Sequence, residues 1–92
     1  QTPVAVVIST HLMGLYELAA IHLSQQPPNL KDASLAIDAL GAVMDKLVNQ
    51  LGESEETLKD ALHQIRMAYV SLEQRDTMTS ESEDENPEPE SN

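Results

Sequence analysis

The sequence predicts an all-α fold: a three-helix bundle, or helical hairpin plus helix, followed by a disordered acidic tail. Three observations predict it. Apolar residues repeat at steps of three and four from Leu30 to Leu51, helix-capping residues precede each apolar run, and the composition changes abruptly at Thr77. The folded domain is therefore assigned to residues 1–76, with helices at about 3–24, 30–51 and 55–75, and the tail to residues 77–92.

The first helix opens at Thr2-Pro3, a capping residue followed by proline at the first helical position. Val4 to Ile8 alone would pass for a buried strand. The run on through His11 to Ile21 is too long for one and rich in helix formers. Pro27-Pro28 ends it, because proline cannot continue a helix and restricts the residue before it.

The second helix begins at Asn29, with Asp32 three residues on in a capping-box arrangement. Leu30, Ala33, Ile37, Leu40, Met44, Leu47 and Leu51 make a heptad seam of the kind that packs helix on helix. Gly52 is placed to end it. The third helix is capped by Ser54, has Glu55 and Glu56 in its first turn, and carries Leu58, Ala61, Leu62, Ile65, Ala68, Tyr69 and Leu72 as its apolar stripe. A short link makes the second and third helices antiparallel neighbours. Beyond Thr77 only Met78 is apolar, so the segment has too little to bury to offset the entropy of ordering it.

Charge excludes several partners. The 92 residues carry a net charge of -11, of which the tail holds six acidic groups and no basic one. Lys31, Lys46, Lys59, Arg66 and Arg75 are spread out and form no patch, so neither a nucleic-acid backbone nor an anionic membrane surface is an expected ligand. A span through a membrane is opposed by His11, Glu17 and His22 inside the apolar stretch and by the lack of basic flanks. There is no basic n-region or small-residue cleavage site, and no cysteine; a cytoplasmic setting is expected.

Catalytic and metal motifs are missing. The histidines at 11, 22 and 63 have no metal-ligand spacing, with His11 expected partly packed and the other two wet. The glycines form no phosphate loop, and Gly41 reads as a place of close helix approach. Met13, Met44 and Met67 are candidates for an adaptable groove, though core filling is favoured. No catalytic, cofactor or metal residue is assigned. Asp38 and Arg66 are candidates for an ion pair between helices, and Glu17 for a solvent-facing or Arg66-paired carboxylate.

Several of these stretches together resemble a known family. They are Leu30-Lys-Asp-Ala-Ser-Leu-Ala-Ile-Asp-Ala-Leu40, Lys46, Glu55-Glu56, Leu58 to Leu62 and Ile65-Arg-Met-Ala-Tyr-Val70. They are similar to the bacterial DUF1844 family of small helical proteins, with Ile37-Asp38-x-Leu40 and Arg66-Met-x-Tyr-Val the nearest matches. The likeness spans roughly residues 4–72 and departs at Gln25–Asn29, which is shorter than the family's loop. It implies a small all-α domain of unknown function and brings no catalytic residues.

The functional expectation comes from the first helix. Val4 to Ile8 and Leu18 to Ile21 are apolar in every direction, and two companion helices cannot cover a helix on all sides. A domain of about 75 residues without disulfides or zinc is also marginal by itself. A homodimer through this helix is expected, with Val4, Val7, Ile8, Met13, Leu15, Leu18 and Ile21 as interface residues. The alternatives are an adaptor that accepts another protein's amphipathic helix, or an enzyme site built from Glu17 and a histidine.

Overall fold

The computed structural model describes the backbone of residues 3–85 and the side chains of residues 3–75. Its elements are α1 (Val4–Leu23), α2 (Leu30–Lys46) and α3 (Ser54–Glu85), with no strand among the described residues. Each helix packs against the other two. Met44 lies by Leu62, Gly41 by Arg66 and Ile37 by Tyr69, so α2 and α3 run in opposite directions. Ser9 lies by Leu58 and Leu23 by Leu72, so α1 and α3 run the same way.

The caps explain where the helices start. Pro3 occupies the cap position of α1 with an extended backbone (φ -59°, ψ 146°), one place earlier in the helix than expected, and its carbonyl accepts from Val6 and Val7. Thr2 lies outside the described residues. Asn29 caps α2 as expected: its side-chain oxygen accepts from the Asp32 amide at 3.2 Å and its Nδ2 donates to the Asp32 carboxylate at 3.0 Å. The Asn29 amide in turn donates to the His22 carbonyl at 2.9 Å, tying the α1–α2 loop to the end of α1.

The α2 seam packs as its spacing requires. Ala33, Ile37, Leu40 and Met44 are buried with Leu51, while Leu30 and Leu47 pack at the edge. The helix itself ends at Lys46, short of the expected 51. Asn49 takes a left-handed backbone (φ 65°), which a helix cannot contain, and Gly52 (φ 72°) supplies a second such turn just before α3. Leu51 thus reaches the core from a turn.

In α3, Leu58, Leu62 and Ile65 are buried, and Ala61, Tyr69 and Leu72 are partly so. Ala68 is exposed, because a step of about 100° from Tyr69 carries it off the stripe. The α3 backbone stays helical to Glu85, past the expected end at 75. The expected acidic tail lies outside the described residues for its side chains and, at 86–92, altogether. The core is completed from α1 by Leu12, Ala19 and Leu23.

Candidate interaction surface

Two parallel lines of residues run the length of α1. Ser9, Leu12, Tyr16, Ala19 and Leu23 form one; Val4, Val7, His11, Gly14, Leu18 and Ile21 form the other. Both advance by threes and fours, so each stays on one face. Residues two apart in a helix point nearly opposite ways, which puts the lines back to back. The first line is buried save for the half-buried Tyr16. The second is open: Val4 is 71% exposed, Ile21 58%, Leu18 44% and Val7 43%.

The polar and small members of the outer line fit that openness. The His11 ring sits outside the core and its Nδ1–H donates to the Val7 carbonyl at 3.0 Å, which holds the ring against its own helix. A Cβ placed on Gly14 would meet nothing beyond its own helix backbone within 4 Å among the described residues, so this glycine serves no close approach there. Thr10 folds back in the same way, its Oγ1 donating to the Val6 carbonyl at 3.0 Å.

Of the seven interface residues expected from the sequence, Val4, Val7, Leu18 and Ile21 lie along this outer line. Ile8, Met13 and Leu15 are partly buried and pack against the domain's own core, leaving them a smaller share of outer surface. His11 and Gly14 were missed, although the 4-7-11-14-18-21 spacing is readable in the sequence. By length and composition alone, α1 is also a helix able to cross a membrane.

The other candidate groups are scattered. Glu17 is exposed and is the only Asp, Glu, Lys or Arg within α1. It makes no ion pair with Arg66 and no hydrogen bond to a histidine among the described residues, where Lys59–Glu55 at 3.9 Å is the sole ion pair. His11 and His63 are exposed, whereas His22 is half-buried with an Nδ1 that has no partner among the described residues, the reverse of the expectation for His11 and His22. No group of three potential metal ligands occurs among the described residues. Met44 is buried, Met13 half-buried and Met67 exposed, so the methionines do not line one groove.

Arg66 does not pair with Asp38 within 4 Å, although both line a shallow groove between α2 and α3. Its guanidinium instead lies directly over Gly41, where a Cβ would collide with it. The close approach expected at Gly41 is therefore between a helix backbone and a side chain of its neighbour.

Glu55 does something that its place in the first turn of α3 does not suggest. Its carboxylate reaches back to the α2–α3 turn and accepts from the Asn49 amide at 2.8 Å and the Leu51 amide at 3.2 Å. These amides lie at and just past the left-handed residue, beyond the end of α2, where no helical carbonyl takes them. The Asn49 amide, then the Leu51 amide, hold the carboxyl below its usual value of 4.5; burial opposes them and Lys59 adds to them. Glu55 is a clasp for the turn.

A scan against family models matches residues 4–71 to DUF1844, described as a domain of unknown function. No match was found among curated proteins or among solved structures. The matched span runs from the first residue of α1 through most of α3's buried stripe, so it includes α1 and α2 whole, the first part of α3 and every buried core residue. The chain belongs to the DUF1844 family.

Proposed function

We propose that this chain is a non-enzymatic protein–protein interaction module that associates with itself through the outer line of α1. The observation that carries this is the row Val4, Val7, Leu18 and Ile21, left open by a fold whose inner α1 line is already fully used. The four large apolar side chains make two exposed pairs on one helix face, Val4 with Val7 and Leu18 with Ile21, and exposed apolar patches of this kind mark contact surfaces. Glu17 makes no ion pair or hydrogen bond with a histidine among the described residues, which supports a binding role over a catalytic one.

A bilayer is a weaker occupant of the same surface. Spanning would pull the inner line from α2 and α3 and put Glu17 and two histidines at hydrocarbon depth. A second protein reading, an adaptor for a foreign amphipathic helix, draws on Leu35 (71% exposed), Met67 (59%) and the α2–α3 groove that Val70 borders.

Sedimentation equilibrium on the full chain tests the reading. A dimer that Val7→Glu with Leu18→Glu converts to a folded monomer is the expected result. A wild-type chain that stays monomeric at high micromolar concentration overturns it.

A further inference from the structure

The spacing of the outer line of α1 admits an antiparallel pairing of two copies, if they meet as just proposed. Its steps are 3, 4, 3, 4, 3, which read the same in both directions. A two-fold contact requires that residue i touch j while j touches i. With the helices reversed, every pair whose numbers have the same sum falls in register. Val4 then faces the partner's Ile21, Val7 faces the partner's Leu18, and His11 faces the partner's Gly14.

We propose that two copies of this chain pair α1 on α1 in antiparallel fashion, each His11 imidazole seated over the partner's Gly14. Size complementarity favours this register. The bulkiest polar group of the line lands on the one position without a side chain, and a Cβ at Gly14 has nothing near it beyond its own helix backbone among the described residues. In a parallel pair His11 would meet the partner's His11, and Gly14 the partner's Gly14. That arrangement crowds one layer and empties the next, and interiors tolerate neither well.

Charge allows a second copy of so acidic a chain to meet it here. The net charge of -11 makes copies repel, and α2 and α3 both display carboxylates on their exposed surfaces. The outer α1 line has none. Glu17 lies next to it, beside Leu18, where antiparallel packing leaves it at the wet rim near the partner's Thr10. The His11 Nδ1–H is already committed to Val7, which fixes the ring's direction before pairing.

Disulfide trapping separates this geometry from self-association in general. The chain has no cysteine, so single substitutions at exposed positions give unambiguous links. Full chains bearing Val7→Cys and Leu18→Cys, one of them isotope-labelled, are mixed, oxidised and weighed intact. Positions 7 and 18 are about 16 Å apart along a helix, far beyond the roughly 4.4–6.8 Å that a disulfide bridges, so the two registers give different products. The expected product is the mixed disulfide joining a Val7→Cys chain to a Leu18→Cys chain, well above its share under random pairing. Homodisulfides of each variant, with a dimer in sedimentation, overturn the antiparallel register and leave self-association standing. A dimer with neither link places the contact elsewhere and overturns the register. Monomers throughout overturn both proposals.

Discussion

The inner and outer lines of α1 share a helix, a spacing and an apolar character, yet one is covered by α2 and α3 and the other by nothing among the described residues. What separates them is the order of side chains along each line. The inner line alternates the small Ser9 and Ala19 with the larger Leu12, Tyr16 and Leu23, and Ala19 is completely buried. The outer line carries its large apolar groups only toward its two ends, with His11 and Gly14 between them. Spacing says which residues share a face, and the run of side chains along that face says whether a close-packed bundle can fill it.

The comparison is broken most sharply in the core. Leu40→Ala, at a completely buried site, should lower stability by about 2–5 kcal/mol, whereas Leu18→Ala on the outer line should change monomer stability by only about 0.5 kcal/mol. Urea unfolding of both variants checks the contrast. Equal losses would mean that the outer line is not outside.

Association should reverse that ranking. Val7→Glu with Leu18→Glu should weaken self-association by at least about tenfold for each change while leaving the helical content unchanged, as read by sedimentation and circular dichroism. Gly14→Leu sharpens the point, since its two effects have opposite signs. Removing a mid-helix glycine should raise the stability of the single chain by up to about 1 kcal/mol, and the new side chain should displace the imidazole seated there and loosen the pair.

The smallest expected effect lies at the α2–α3 turn. Glu55 has its folded-state carboxyl held below 4.5, so its contribution is fully present above that value and is lost as pH falls through the lower folded one. Thermal unfolding between pH 7 and pH 3 should therefore show a shallower acid decline in Glu55→Gln than in the parent chain. Identical slopes would remove Glu55 as the clasp.

Much of this fold was legible in the residues. The Asn29 cap and the seam from Leu30 to Met44 needed only local spacing and local hydrogen bonds, and both appear as read, whereas Leu47 and Leu51 lie beyond the end of α2. The end of α2 was not legible, because it depends on Glu55 reaching back across six residues to a turn that Asn49 opens. Gly52 does adopt the left-handed form that a helix stop uses, but at the far side of that turn. The candidate surface was half legible. All-round apolarity singled out α1 and its spacing places His11 and Gly14 in one row with Val7 and Leu18, yet only the packing showed that this row is the open one and that Ile8, Met13 and Leu15 turn toward the core.

The most direct measurement is an isotope-filtered nuclear Overhauser experiment on a mixture of labelled and unlabelled full chains. Within one α1, the Val7 and Leu18 methyls are three turns apart, so contact between them can arise only across two molecules. Cross-peaks joining Val7 to Leu18, and Val4 to Ile21, are the predicted result. Intermolecular contacts from Leu35 or Val70 in their place, or none from α1 at concentrations where the chain is dimeric, would contradict it.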